Sequence, residues 1–279
     1  MPLFWPAAEV SVLLSEHGRL GLPLAGHLVI DAHGHLGTYG AFDIPASTPE
    51  AIVAIMDRIG VRALCASHLM ALVGDCRAGN DLLAEAMRRY PGRFIGYAVA
   101  NPNRPEEIEP ELERCRQALG MRGIKVHAGF AAQPVDSPGF WRMYEWSAAH
   151  GNLPVLGHGF DDAAAMERIA LAFPQVPFIV AHAGGAYRGG VPDPVILLAA
   201  RLDNIYLDLC SSLAYEGALE RLVRLVGAQK LLFGSDLCFQ QATHQVGRVL
   251  FADISEPDKE AILGLNAAQL FGLPQETAV

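Results

Sequence analysis

The chain has 279 residues, of which 51% are hydrophobic and 18% are charged, and its formal net charge is -9. This composition supports a large buried core and excludes an intrinsically disordered chain. The acidic balance, without any block of Lys or Arg, argues against nucleic-acid binding and against membrane binding through a basic face.

No apolar run reaches the roughly 20 residues that span a bilayer, and the first six residues lack the basic start of a signal peptide. The five cysteines lie far apart and form no CxxC pair, which favours reduced thiols. We therefore expect a cytoplasmic protein that acts on a small-molecule substrate. Whether it forms a homo-oligomer is left open by the sequence.

The amino-terminal segment, residues 1–26, is expected to be an arm that packs on the main unit, 27–279. Within the arm, the sequence predicts a short helix over 7–14 and a loop over 18–23.

The first predicted strand is apolar and leads into His33-Gly34-His35. Side chains two residues apart on a strand face the same side. These two histidines should therefore point to one place just past the end of a buried strand.

The rest of the chain repeats one pattern, in which an apolar strand is followed by a helix. The strands are apolar rather than cleanly alternating, as in a parallel sheet that is covered on both faces. The predicted strands are 28–33, 61–67, 93–99, 123–127, 153–158, 178–182, 205–209 and 230–236. The predicted helices are 49–59, 80–90, 105–119, 138–150, 161–173, 193–202, 215–226, 241–251 and 257–271.

Eight strand–helix units in one run predict an α/β fold, a single (β/α)8 TIM barrel. The alternative is an open doubly wound sheet, which would usually carry a glycine-rich phosphate-binding turn after its first strand. Here that turn carries the two histidines instead, and neither GxGxxG nor a Walker A motif occurs.

Polar residues fall at the carboxyl ends of the predicted strands, which converge on one mouth in a barrel. Imidazole and carboxylate ligands suit Zn²⁺ and related ions, and a catalytic site needs three or four of them. The strand-end residues are His33, His35, Lys125, His127, His158, His182 and Asp236. The candidate ligands of one divalent ion are His33, His35, His158 and Asp236.

This ordered set resembles the amidohydrolase superfamily, which has HxH on the first strand, single histidines on the fifth and sixth, and aspartate on the eighth. The details are closest to the amidohydrolase 2 subgroup, which includes lactonases and metal-dependent decarboxylases. The matching segments are 30–35, 123–127, 154–158, 182–185, 232–236 and 266–271. Larger superfamily members carry an added β-sandwich domain, which we do not expect here.

The resemblance implies one divalent ion, most simply Zn²⁺ although Mn²⁺ also fits. Asp236 would accept a proton from metal-bound water, and His182 would act as an acid or base or polarise a carbonyl. Lys125 would be an unmodified cation; the alternative is a carbamylated Lys125 that bridges two metals. The candidate substrate contacts are Lys125, His127, His68 and Arg188. We expect Asp208 to be structural and Cys210 to be a packing residue.

The same ligands fit two kinds of enzyme. The main expectation is a metal-dependent hydrolase of a small ester, lactone or amide, in which metal-activated water attacks a carbonyl. The alternative is a metal-dependent decarboxylase, a lyase, of a small unsaturated or aromatic acid, in which a proton is delivered to carbon. A third hypothesis, a barrel without catalytic activity, is disfavoured because no ligand position is lost.

Overall fold

The computed structural model of the protein describes residues 13–41, 43–184, 193–210 and 216–275. Eight parallel strands form one sheet in chain order. They are β1 (Ile30–Leu36), β2 (Ala63–His68), β3 (Phe94–Ala98), β4 (Gly123–His127), β5 (Val155–His158), β6 (Phe178–Val180), β7 (Ile205–Asp208) and β8 (Leu231–Leu232).

Helices lie between successive strands and cover the sheet. The described helices are α1 (Leu14–Leu20), α2 (Pro49–Ile59), α3 (Leu69–Val73), α4 (Cys76–Arg89), α5 (Pro105–Gln117), α6 (Ala128–Ala131), α7 (Pro138–Ala149), α8 (Ala163–Ala172), α9 (Asp193–Arg201), α10 (Ala218–Val226), α11 (Ala242–Leu250), α12 (Glu256–Glu260) and α13 (Asn266–Leu270). No helix in these ranges is long and apolar enough to cross a membrane.

Hydrogen bonds between the first strand and the chain just after β8 close the sheet. The amide of Ala32 donates to the Phe233 carbonyl at 2.8 Å, and the amide of Asp236 donates to the His33 carbonyl at 2.8 Å. The buried Asp31 carboxylate adds to this seam, because it accepts the backbone N–H of Ser235 at 3.0 Å and also the Ser235 hydroxyl. The predicted (β/α)8 barrel is confirmed.

Local sequence signals explain where α2 begins and ends. Pro49 occupies the first turn, where a missing N–H does no harm, and the Thr48 hydroxyl accepts the Ala51 amide at 3.3 Å. Gly60, with φ of 86°, ends the helix in the left-handed conformation that glycine adopts most easily. Ile52 and Met56 lie four residues apart and are fully buried, so this face packs on the core.

Several predicted element bounds differ from the structure. The predicted loop over 18–23 is wrong in its first part, because α1 continues to Leu20 and ends at Gly21. Most of the predicted helix over 7–14 lies outside the described residues. The predicted helix over 257–271 is divided by a π-helical turn, Ala261–Leu265.

Two short helices, α3 and α6, were not predicted. Each begins directly after a strand and is capped by that strand's last residue. The Nδ1 atom of His68 accepts the Met70 amide, and the Nδ1 atom of His127 accepts the Phe130 amide, both at 3.1 Å. Both helices therefore lie at the mouth of the barrel.

Candidate active site

The first two candidate ligands meet at the mouth of the barrel. His33 and His35 are buried at the end of β1, and their ring centroids are 5.3 Å apart. Gly34 between them has no room for a side chain. A Cβ there would lie 2.5 Å from Leu64 Cδ1 and 2.7 Å from the Leu237 carbonyl oxygen. The middle glycine therefore lets β1 pack closely against both neighbours while the two imidazoles reach the same cavity.

The side chain of Asp236 joins this pair from the other side of the seam. Its Oδ1 atom is 3.8 Å from His33 Nε2 and 3.4 Å from His35 Nε2. One donor atom from each of the three residues lies within 4.8 Å of the others. Ligands of a common ion, each bonded at roughly 2.1 Å, are separated by similar distances. The donor set and its geometry therefore fit one divalent ion.

A buried carboxylate fixes the orientation of the His33 ring. The Nδ1 atom of His33 donates to Asp208 Oδ2 at 2.6 Å, which leaves Nε2 with its lone pair towards the cavity. Asp208 also accepts the backbone N–H of Cys210 at 2.7 Å and that of His182 at 3.3 Å. Metal-binding histidines commonly have such a carboxylate partner. Asp208, expected to be only structural, therefore belongs to the site.

Burial keeps the two histidines neutral, which is the form that binds a metal. It lowers the pKa of His33 to about 4, and it also lowers the pKa of His35. Burial raises the pKa of Asp236, but the contact with His35 and the nearby histidines outweigh this, and the pKa lies below its usual value. The group therefore offers two neutral imidazoles and one carboxylate at neutral pH.

Lys125 supplies a cation at the centre of the site. It is 1% exposed, and its Nζ atom donates to His33 Nε2 at 2.8 Å. Burial lowers the pKa of Lys125 to about 8, so that its amine is still mostly protonated at neutral pH. The amine of Lys125 therefore lies beside the cavity and contacts the Nε2 atom of His33, the atom that a metal would use.

His158, the fourth candidate ligand, lies next to this group but outside it. Its ring centroid is 5.3 Å from that of His33, and its Nε2 atom is 2.6 Å from His182 Nε2. Its Nδ1 atom is buried without a hydrogen-bond partner among the described residues. The role of His158 as a ligand stays a prediction.

His182 enters the site through an unusual backbone conformation. The predicted sixth strand, 178–182, is too long, because β6 ends at Val180 and the chain then turns sharply. His182 and Ala183 both have positive φ, 57° and 45°. Such strained residues cluster at functional sites. This turn directs the imidazole of His182 towards His158.

Cys210 offers a second arrangement of metal-binding atoms, with His33 and His182. Its sulfur lies 3.1 Å from His33 Nδ1 and 3.0 Å from His182 Nδ1. However, Asp208 already binds the same nitrogen of His33, and burial raises the pKa of the Cys210 thiol well above its usual value. Because Asp208 occupies this nitrogen of His33, the group with His35 and Asp236 is favoured.

His68, His127 and Arg188 are the remaining candidate substrate contacts, and the structure describes the first two. His68 caps α3, and its ring packs against Gly37, where a Cβ would lie 2.5 Å from the ring. The ring of His127 is stacked between those of Phe130 and His158. Arg188 lies outside the described residues.

Aromatic residues around the mouth gave no recognisable signal in the sequence. The ring of Phe239 lies 5.3 Å from that of His35, and Tyr39 lies 6.0 Å from Phe239 and 5.7 Å from Phe130. These residues come from three separate segments, which follow β1, β4 and β8, so only the fold brings them together.

Comparison with known proteins identifies the family. The amidohydrolase family model, of the amidohydrolase 2 type, matches residues 30–273. The chain belongs to this family. The resemblance inferred from the strand-end motifs is therefore confirmed, and the family is one of enzymes.

Relatives within the family are decarboxylases. The chain is 25% identical over 287 residues to gamma-resorcylate decarboxylase from Polaromonas sp. strain JS666, covering 79% of this chain and 86% of that protein. It is also 25% identical over 243 residues to 2-amino-3-carboxymuconate-6-semialdehyde decarboxylase from Dictyostelium discoideum, covering 70% of this chain and 65% of that protein. The expectation of a hydrolase is wrong, because these relatives are carboxy-lyases.

Solved structures share the fold. The dihydroxybenzoic acid decarboxylase of Polaromonas sp. JS666, with bound manganese and the inhibitor 2-nitroresorcinol, superposes with a TM-score of 0.73 at 20% identity, covering 88% of this chain and 97% of that chain. The 5-carboxyvanillate decarboxylase of Novosphingobium aromaticivorans, complexed with manganese and 4-hydroxy-3-methoxy-5-nitrobenzoic acid, gives 0.70 at 17% identity, covering 89% and 97%.

Proposed function

We propose that the protein is a metal-dependent decarboxylase of a small aromatic or unsaturated carboxylic acid. The observation that carries the proposal is the similarity to decarboxylases over most of the chain, 79% of its length for the Polaromonas enzyme. The grouping of His33, His35 and Asp236 at the mouth supports it, because this donor set fits one divalent ion.

The proposed ion is held by His33, His35 and Asp236, with His158 as the fourth ligand. Manganese is the metal named in two structural neighbours, so we propose Mn²⁺ first and Zn²⁺ as the alternative. When bound, the ion would supply positive charge that binds substrate oxygen atoms and stabilises negative charge that develops during the reaction.

The charge of Lys125 and its position beside the cavity suit the binding of a carboxylic acid. Its ammonium is buried beside His33, and a buried cation attracts a carboxylate more strongly than an exposed one, because water screens it less. We propose that Lys125 binds an acidic oxygen of the substrate, and that Asp208 keeps the His33 ring in place.

Decarboxylation breaks the bond between carbon and the carboxylate, releases CO₂, and places a proton on the same carbon. A side chain that carries this proton must titrate and must face the reacting carbon. We propose Asp236 and His182 for this role. Both are nearly buried, at 3% and 5% exposure, so few water molecules compete for the proton.

The test is CO₂ release from a panel that includes 2,6-dihydroxybenzoate, other hydroxybenzoates and unsaturated aliphatic acids, with Mn²⁺ or Zn²⁺ added. We expect CO₂ release from at least one acid, and Asp236→Asn should lose roughly 100-fold or more of it. Asp253→Asn, an exposed residue away from the site, is the matched control. A metal-loaded protein that releases no CO₂ from any acid would overturn the proposal.

A further inference from the structure

Three aromatic rings form a continuous stack from the surface of the mouth to the candidate ligand His158. The rings of His127 and His158 are nearly parallel, with centroids 4.3 Å apart and planes inclined by 14°. On its other face, the His127 ring stacks on Phe130, at 3.9 Å and 19°. The outermost ring, Phe130, is 37% exposed.

The fold builds this stack from two adjacent strands and one short helix. His127 and His158 are directly paired in the register of β4 and β5, so their side chains face the same way. Helix α6 starts immediately after His127, and the Phe130 N–H donates to His127 Nδ1 at 3.1 Å. Gly159, with φ of 104°, allows close approach, because a Cβ there would lie 2.7 Å from Ala128 Cβ.

His33 and His35, the two histidines of the metal group, differ from His158 in the contacts that fix the orientation of their rings. His33 Nδ1 donates to Asp208, and His35 Nδ1 pairs with the Ser67 hydroxyl at 3.0 Å. The equivalent atom of His158 has no hydrogen-bond partner among the described residues. Metal-binding histidines usually depend on such a partner for their orientation.

From this geometry we infer that His127 is a positioning residue, whose ring, backed by Phe130, fixes the orientation of the His158 ring beside the metal group. The inference rests on the proposed metal site, and the substrate contact that the sequence suggested for His127 stays a separate prediction. It predicts that ring stacking, and not the hydrogen-bonding capacity of His127, supports metal affinity.

Two substitutions separate these properties. His127→Asn keeps an acceptor for the Phe130 amide and the cap of α6 but removes the ring, whereas His127→Phe keeps the ring and removes the acceptor. The matched control is His150→Asn, because His150 also stacks on an aromatic ring, that of Trp146, at 4.4 Å and 17°, and takes no part in the site.

The readout is the Mn²⁺ dissociation constant, measured by competition with a fluorescent chelator, with circular dichroism as the check on folding. We expect His127→Asn to weaken binding roughly tenfold, while His127→Phe and His150→Asn stay within about twofold of wild type. Phe130→Leu should weaken binding by a smaller factor, roughly threefold.

Wild-type affinity in His127→Asn, or equal losses in His127→Asn and His127→Phe, would overturn the inference. If His127→Asn does not fold, Phe130→Leu decides, and an unchanged affinity in that variant also counts against it. Failure of the wild-type protein to bind Mn²⁺ or Zn²⁺ is a different result, because it would remove the proposed metal site itself.

Discussion

At the scale of single residues, Asp208 is the side chain on which the metal group depends most. It is fully buried and accepts four hydrogen bonds, from His33 Nδ1, from the amides of His182 and Cys210, and from the Cys210 thiol. An asparagine has nearly the same shape, but its amide group can donate to His33 Nδ1 and so favour the wrong tautomer.

We therefore predict that Asp208→Asn keeps the fold and lowers metal affinity roughly 10-fold to 100-fold. Metal content after dialysis and a chelator competition measure this loss. Asp162→Asn is a suitable control, because Asp162 only caps α8 and asparagine caps a helix equally well. Unchanged affinity in Asp208→Asn would show that His33 needs no carboxylate partner.

A second prediction concerns Lys125, and its outcome distinguishes an unmodified, cationic Lys125 from a carbamylated one. As a cation 2.8 Å from His33 Nε2, it should repel a divalent ion at the same atom. Lys125→Met should then raise metal affinity, roughly tenfold or more, and weaken the binding of carboxylate inhibitors. A carbamylated lysine would instead be a ligand, and the same substitution would lower the metal content.

The grouping of His33, His35 and Asp236 could be predicted because HxH and the strand-end Asp236 stand out against apolar strands. Asp208 was not, because a lone carboxylate at the end of a strand gives no sign that its partner, His33, lies 175 positions earlier. Only the closure of the barrel brings the two side chains together.

At the scale of elements, the seam between β1 and the end of β8 holds the metal group in place. Asp31 lies two residues before His33, and Ser235 lies next to Asp236. The buried hydrogen bonds between Asp31 and Ser235 therefore hold the two sides of the seam together close to these two candidate ligands. The Ser235 hydroxyl also accepts the Leu237 amide at 3.0 Å.

Ser235→Ala should therefore destabilise the protein by about 1–3 kcal/mol, because it leaves buried partners unpaired. Denaturant unfolding measures the loss, and hydrogen exchange should become faster at the Ala32 and Asp236 amides that close the seam. In the control Ser147→Ala, which removes a buried hydroxyl that donates to the Leu153 carbonyl, exchange at those two amides should not change. Equal exchange in both variants would contradict the role of Ser235.

The existence of all eight strands could be predicted from apolar runs, but their ends could not. β6 stops early because His182 and Ala183 adopt positive φ, which non-glycine residues rarely do and which the residue types do not predict. β8 ends at Leu232, four residues before the predicted end at Asp236. Helices α3 and α6 were missed because they have five and four residues and are capped by histidines, which are not typical caps.

At the scale of the whole molecule, the fold was easier to predict than the reaction. The repeated strand–helix pattern restricts the chain to very few architectures, whereas the same set of proposed ligands would serve both hydrolysis and decarboxylation. In barrel enzymes the segments that follow the strands commonly set substrate choice. In three of these segments, Tyr39, Phe130 and Phe239 meet from distant parts of the sequence. The expectation of hydrolysis was corrected by the similarity to decarboxylases, because no sequence motif distinguishes the two reactions.

The proposed metal should also stabilise the whole barrel, because His33 and His35 lie at the start of the sheet and Asp236 follows its last strand. An ion that binds only the folded chain, at a concentration of 1,000 times its dissociation constant, adds about 4 kcal/mol to the free energy of unfolding. Removal of metal with a chelator should therefore lower the thermal midpoint, and Mn²⁺ should restore it. In His35→Ala, one of the four proposed donors is absent, so the same addition should produce little or no shift. An equal shift in that variant would show that the stabilising ion binds at another site. The proposed site includes His35 on the first strand and Asp236 after the last strand, so only an ion that binds there should lose its stabilising effect when His35 is removed.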